Sequence, residues 1–405
     1  MKITKVRVAT INHILPVPII YGNWIMDHRE FALVRVDLED GTAGFAYGLT
    51  RDGPVAAIVH RSIAPCYVGR EIDDPKQLYY GALWTNHAVH AAGIGMRALS
   101  LVDIACWDAL ARHRKQSFQE VLGGELSDLP ATAIVGYPPT MSPEELANQI
   151  VDLKKKGWNR FKIPISPDLD LSEARLRAAR EAAQSDWVGF DINMVLRSSE
   201  AVLEFENRIR DLKLGWIEDV VPPGDAAMVA RVRQGSKTPI AMGDEQGGSY
   251  HPEALLTAKA VDIIRVDATT NGGITGLQSA LKKAKIASVK VSPHMFPHLH
   301  SRLLPIFGFK DVPIEWGIPG TGVHPMDDGL EQPVIFDGQS VIGAVGRVQQ
   351  VPRYNASYAL VPKRILNVSW TADHRHVDGA SVARFSNVFK AAVEEPEQVI
   401  ALHFK

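Results

Sequence analysis

Seven ionisable residues recur along the middle of the chain at nearly even intervals: Lys162, Asp191, Glu218, Asp244, Asp267, His294 and Glu315. By subtraction they stand 29, 27, 26, 23, 27 and 21 residues apart, each at or near the end of a short apolar run. Asp191, Glu218 and Asp244 are consecutive members of the series, and three anions brought together need a cation. Oxygen-only ligation selects a hard divalent ion such as Mg²⁺, which keeps positions open for water and substrate oxygens. Such an ion can hold a substrate carboxylate and neutralise the charge that develops when the neighbouring carbon loses a proton. Lys162 on one side, and His294 oriented by Asp267 on the other, are the candidate proton-transfer groups. Glu315 can hydrogen-bond the enolate oxygen if it holds a proton.

The elements that must position these groups are apolar runs at 131–137, 160–165, 188–193, 214–218, 240–245, 263–267, 290–294 and 313–316. Helix signals separate them. Ser142-Pro143-Glu144-Glu145 combines a capping serine, proline at the first helical position and glutamate at the third. Gly272-Gly273-Ile274-Thr275-Gly276 and His251-Pro252-Glu253 open others. Eight strand-helix units of about 25 residues make a parallel β/α barrel, whose chemistry sits at the C-terminal ends of its strands. Ahead of it, residues 1–127 read as a separate α+β unit containing one long helix over 92–113. The expected organisation is an α/β protein in three parts: an α+β capping domain at 1–127, a β/α barrel at 128–340 and an extension at 341–405.

Composition excludes several classes. With 46% hydrophobic and 22% charged residues the chain is neither disordered nor membrane-like. A net charge of -2 provides no broad basic field for nucleic acid, so a small molecule or another copy of the chain, as a homo-oligomer, is the expected partner. The first nine residues alternate like an edge strand and lack a signal peptide's apolar core, which makes a cytoplasmic location the expectation. Lys154-Lys155-Lys156 reads as the cationic end of a helix, and the distant Cys66 and Cys106 as small apolar residues, with no disulfide or zinc spacing.

Residues 1 to about 340 resemble the mandelate racemase-like branch of the enolase superfamily. The resemblance is carried by Arg160-Phe161-Lys162-Ile163, Asp191-Ile192-Asn193, Trp216-Ile217-Glu218-Asp219, Met242-Gly243-Asp244-Glu245, Asp267 ahead of Asn271-Gly272-Gly273-Ile274-Thr275-Gly276, and Ser292-Pro293-His294. It implies an enolase-type barrel with Mg²⁺ on Asp191, Glu218 and Asp244, proton transfer by Lys162 and by the His294 and Asp267 dyad, and enolate assistance from Glu315. It also implies a capping domain whose loops choose the substrate, with Tyr21, Trp24, His28 and Arg51 as candidates there and Asn193 and Glu245 as candidates on the barrel. The family's usual Lys-x-Lys reads Arg160-Phe161-Lys162 here, so Arg160 would supply the electrophilic cation. A register shifted by two would put Pro164 at the base position and leave only His294. Either Asp244 or Glu245 could face the barrel mouth as the third ligand. The implied reaction is dehydration of an acid sugar to a 2-keto-3-deoxy acid. The alternatives are a racemase or epimerase, cycloisomerase-like chemistry, or a non-catalytic homologue.

The last part resembles something else. Val341-Ile-Gly-Ala-Val-Gly, Asn367-Val-Ser-Trp-Thr-Ala-Asp-His-Arg-His-Val-Asp-Gly379 and Ala383-Arg-Phe-Ser-Asn387 look like the C-terminal end of the acyltransferase (E2) component of 2-oxo acid dehydrogenase complexes. In that family the histidine matching His374 deprotonates a thiol, with the aspartate matching Asp378 nearby. A whole acyltransferase domain is several times longer than these roughly 65 residues, so either a packing or interface role, or an attached fragment of no function, is expected rather than acyl transfer.

Overall fold

The computed structural model describes residues 1–21, 24–222, 224–248, 250–317, 341–354, 360–372 and 377–394. Alternating branched and polar residues draw the N-terminal segment into an antiparallel sheet of order β1-β2-β3, with β1 spanning Ile3–Tyr21, β2 Trp24–Leu38 and β3 Ala43–Leu49. The β1-β2 register breaks between Ile14 and Ile19, where Pro16 and Pro18 lack the N–H that a ladder needs. Helix α1 (Gly93–Arg114), expected at 92–113, lies against this sheet. A Cβ on Gly44 would stand only 2.1 Å from the Ala105 carbonyl oxygen, so a side chain there would push the helix away.

All eight expected runs form strands: β4 (Ala131–Ile134), β5 (Arg160–Pro164), β6 (Trp187–Asp191), β7 (Ile217–Glu218), β8 (Ile240–Met242), β9 (Ile263–Val266), β10 (Lys290–Pro293) and β11 (Ile314–Gly317). Their order is β10-β9-β8-β7-β6-β5-β4-β11, parallel throughout, which makes a nearly closed barrel with β10 and β11 at its two free edges. The Ser142 capping box opens the helix Pro143–Lys155 as its sequence signals. No helix among the described residues is long and apolar enough to cross a membrane. Cys106 is buried and Cys66 half-buried, and both are free thiols.

The glycine-rich segment after β9 does more than open a helix. It starts α2 (Gly273–Ile286), and α1 of the capping domain docks on this helix start. Asp103 accepts hydrogen bonds from the Thr275 backbone N at 3.0 Å and from Thr275 Oγ1 at 2.7 Å. Ser100 Oγ accepts from the Gly272 N at 2.9 Å, and Trp107 Nε1 donates to Thr275 Oγ1 at 3.1 Å. The capping domain thereby supplies the N-terminal cap of a barrel helix and fixes itself over the barrel mouth. Gly273 has φ +69, and an added Cβ would meet Asp103 Oδ2 at 2.2 Å. We expect Gly273→Ala to destabilise the fold by roughly 2–4 kcal/mol, read from urea unfolding. An unchanged midpoint would contradict this account of the junction.

The capping sheet and barrel form one compact unit, residues 1–328, and residues 329–405 form a second. The second unit contains an antiparallel hairpin, β12 (Val341–Tyr354) and β13 (Leu360–Ala372), followed by helix α3 (Gly379–Glu394). The Trp370 ring packs edge-on to Phe385 and Phe389, at centroid distances of 4.9 and 5.3 Å. Asp378 Oδ1 accepts a hydrogen bond from the Ser381 N at 2.6 Å, an N-cap contact for α3. His374 lies outside the described residues.

Candidate active site

Asp191 and Glu218 are the last residues of β6 and β7, whereas Asp267 and His294 directly follow β9 and β10, and Asp244 lies two residues past β8. Asp191, Glu218 and Asp219 each bring a carboxylate oxygen within 4.8 Å of the others, and Asp244, Glu245 and His294 converge in the same way. The burial is severe: Asp244 is 0% exposed, Glu218 1% and Asp219 4%. Among the described residues, Glu218 Oε2, Asp219 Oδ1 and both Asp244 carboxylate oxygens have no hydrogen-bond partner. Burying an ionised carboxylate without a partner is strongly unfavourable. These oxygens therefore fit a cation, and an all-oxygen set of this kind suits a hard divalent ion.

Two buried cations brace the same carboxylates. Lys162 Nζ lies 2.6 Å from Glu315 Oε1, 3.1 Å from Glu218 Oε1 and 3.5 Å from Asp191 Oδ2. Burial disfavours its charge, but Glu218, Glu315 and Asp191 outweigh that and raise its pKa far above the usual lysine range. Arg265, absent from the candidates drawn from sequence, is completely buried on β9. It donates from Nε to Glu218 Oε1 at 3.0 Å, from Nη2 to Glu315 Oε1 at 2.5 Å, and from Nη1 to Ser292 Oγ at 2.7 Å and the Pro293 carbonyl at 2.8 Å. One guanidinium thus ties β7, β10 and β11 to β9 beneath the cluster. Its position two residues before Asp267 puts it on the same face of the strand, a period-two signal that the apolar run concealed.

Glu315 differs from expectation. It is buried between Arg265 and Lys162 and also accepts from the Met295 N at 3.0 Å. Burial alone would raise its pKa, but the two cations hold it well below the ordinary carboxylate range, so this environment disfavours the protonated form that donation to an enolate requires.

The dyad is held by short hydrogen bonds. His294 Nδ1 lies 3.0 Å from Asp267 Oδ2, and Asp267 Oδ1 accepts from the Thr269 N at 2.7 Å and from Thr269 Oγ1 at 2.8 Å. With Nδ1 directed at Asp267, Nε2 is the nitrogen left for chemistry. Burial lowers the imidazole pKa, but Asp244 and Asp267 override it and raise the value to about 9.

A cavity of about 250 Å³ is lined by Lys162, Asp191, Asp219, Glu245, His294 and Glu315 together with capping-domain residues, and Glu218 and Asp244 lie outside its lining. Of the other candidates, Asn193 and Arg51 also line it. Asn193 donates its backbone N to Asp191 Oδ1 at 2.7 Å, and Arg51 pairs with Glu245, which Arg97 also holds at 2.8 Å. Between the neighbours Asp244 and Glu245, it is Asp244 whose oxygens accept no hydrogen bond, with Oδ2 3.4 Å from His294 Nδ1 and Oδ1 3.8 Å from Arg265 Nε.

Arg160 is not brought to the cavity. Its guanidinium stacks over the Trp187 ring at 4.2 Å and donates to Thr132 Oγ1 at 3.2 Å. Being two residues before Lys162 on the same strand face, it lies about 6.6 Å lower in the barrel. Pro164 does not line the cavity and Lys162 does. His28 pairs with Asp27 at 2.6 Å and Asp52 at 3.3 Å, away from the cavity lining, where its neighbour Arg29 is found instead. Tyr21 and Trp24 face each other across the hairpin backbone, but their side chains lie outside the described set.

Comparison with known proteins agrees with this architecture. Residues 3–123 match the mandelate racemase/muconate lactonizing enzyme N-terminal domain, residues 145–306 match the enolase C-terminal domain-like family, and residues 328–401 match the 2-oxoacid dehydrogenase acyltransferase catalytic domain. The chain is 28% identical over 306 residues to D-galactarolactone cycloisomerase of Agrobacterium fabrum, covering 73% of this chain and 79% of that one. It is 26% identical over 262 residues to L-talarate/galactarate dehydratase of Salmonella typhimurium, covering 64% and 65%. The crystal structure of that dehydratase with Mg and L-lyxarohydroxamate superposes with a TM-score of 0.70 at 21% identity, over 78% of this chain and 83% of the other. A Streptomyces coelicolor racemase with bound magnesium gives 0.71 at 22%, over 77% and 88%.

Proposed function

We propose, for a chain whose residues 3–123 and 145–306 belong to the enolase superfamily, that the cavity removes the proton beside the carboxylate of an acid sugar and releases water to give a 2-keto-3-deoxy acid. The observation that carries this reading is the placement of Lys162 and His294, from the second and seventh barrel strands, around one cavity that is also lined by Asp191 and by Asp219, whose buried Oδ1 accepts no hydrogen bond. Asp191, Glu218 and Asp244 would hold Mg²⁺, and racemase and dehydratase structures of the same fold contain magnesium. Bound there, the ion supplies Lewis-acid stabilisation to the substrate carboxylate and to the enolate charge.

The remaining work falls to the chain's own groups. One base, His294 Nε2 or Lys162 Nζ, takes the α-proton, and its conjugate partner across the cavity protonates the departing β-hydroxyl, so that water leaves and the enol tautomerises to the ketone. Asp267 holds the imidazole in the required tautomer. Part of the negative charge that keeps both bases protonated comes from proposed metal ligands: Asp244 acts on His294 alongside Asp267, and Glu218 and Asp191 act on Lys162 alongside Glu315. Neutralising those ligands lowers both pKa values toward the range in which the groups can accept protons. Arg29 and Arg51 line the cavity wall, Arg51 in its pair with Glu245, and give it a polar surface of the kind a polyhydroxy acid needs.

A racemase or epimerase would use the same two groups, one on each side of the enolate, and the likeness to a racemase favours it as the second reading. Screening acid sugars with Mg²⁺ separates the two. The dehydratase reading expects a 2-keto product, scored by semicarbazide absorbance. Stereochemical inversion with no keto product would replace it with the epimerase.

A further inference from the structure

Asp219 follows the last residue of β7. In a regular strand, successive side chains point to opposite faces, so an inward Glu218 should leave Asp219 outside the barrel. The chain does otherwise. Asp219 takes a left-handed backbone conformation with φ +48, which aspartate tolerates better than most residues, and this turn brings its carboxyl to the cavity beside that of Glu218. The backbone is pinned there: Asp219 donates its N to the Ala241 carbonyl at 3.2 Å, and its own carbonyl accepts from the Met194 N at 3.2 Å. The side chain is 4% exposed, lies in the convergent group with Asp191 and Glu218, and has Oδ1 without a hydrogen-bond partner. A buried carboxylate aimed into a cavity and left without a donor needs a cation to stay ionised.

We propose that Asp219 is a fourth carboxylate ligand of the divalent cation, added to Asp191 and Glu218, with which it converges, and to Asp244 of the neighbouring group. This rests on the metal-dependent reading of the site and adds a ligand to it. The positive φ is the cost of aiming two adjacent carboxylates into one site.

Calorimetric titration of Mg²⁺ into metal-free wild type and Asp219→Asn tests this without substrate. The proposal expects at least about tenfold weaker binding in the variant. It also expects the metal-free variant to melt no lower than wild type, because asparagine removes a buried charge while keeping the shape. Equal Mg²⁺ affinity in the two proteins would overturn the fourth ligand and leave the metal site standing, whereas absence of Mg²⁺ binding by wild type would overturn both. Diffraction from Mn²⁺-soaked wild-type crystals provides an arm independent of the variant's folding. An Asp219 oxygen at roughly 2.0–2.4 Å from the anomalous peak supports ligation, and one beyond about 4 Å rejects it.

Discussion

Replacing Arg265 with methionine is expected to abolish turnover and to destabilise the metal-free fold by about 3–5 kcal/mol, the usual cost of removing one partner from a buried ion pair. Methionine fills much of the volume but leaves Glu218 and Glu315 facing each other with only Lys162 between them. The hydrogen bonds to Ser292 Oγ and the Pro293 carbonyl are lost as well, which frees the strand that leads into His294. Arg265→Lys should recover part of the stability and little of the activity. A single ammonium cannot serve two carboxylates and β10 in the planar geometry of a guanidinium. Chemical unfolding followed by far-UV circular dichroism reads the first effect. A methionine variant within about 1 kcal/mol of wild type would show that the barrel does not depend on this brace.

Replacing His294 with asparagine is expected to lower kcat by about 10²–10⁴, the typical contribution of a positioned general acid or base, with Mg²⁺ affinity changed only a few-fold. Asp267→Asn should act in the same direction and less strongly. It keeps a hydrogen-bonding group beside Nδ1 but removes the charge that stabilises the imidazolium. Steady-state kinetics with a turned-over acid sugar, paired with metal titration, check both variants. A His294→Asn enzyme with kcat within threefold of wild type would assign proton transfer elsewhere in the cavity.

Much of this site could be read from the sequence because a parallel barrel converts sequence spacing into spatial convergence. Each apolar run ending in Asp191, Glu218, Asp267 or His294 places that residue at one rim, whatever the loops between do. The exceptions have local causes. Lys162 and Glu315 lie within their strands rather than past the ends, and reach the cluster because their side chains are long. Arg160 shares a face with Lys162, but two residues of rise leave it on the Trp187 ring.

Asp219 was hidden by the alternation rule, since nothing in its neighbours signals the positive φ that turns it inward. Arg265 carried a usable signal, a lone charge inside Ile263-Ile264-Arg265-Val266 in phase with Asp267. On the capping domain, a one-residue choice separated His28 from Arg29, and which face of β2 meets the barrel depends on tertiary docking that periodicity does not encode. The junction at Gly272 and Gly273 likewise depended on Asp103 and Ser100, about 170 residues earlier in the chain.

The most direct test of proton abstraction beside a carboxylate is solvent exchange. Wild-type protein with Mg²⁺ is incubated in D₂O with a panel of acid sugars, and the α-proton resonance is followed by NMR, with Lys162→Met and His294→Asn variants in parallel. The account predicts Mg²⁺-dependent deuterium incorporation at the α-carbon, or at the carbons of the dehydrated product, that is lost when both Lys162 and His294 are replaced. Retention of the α-proton across the panel by a protein shown to bind Mg²⁺, or exchange that persists in the double variant, would contradict it.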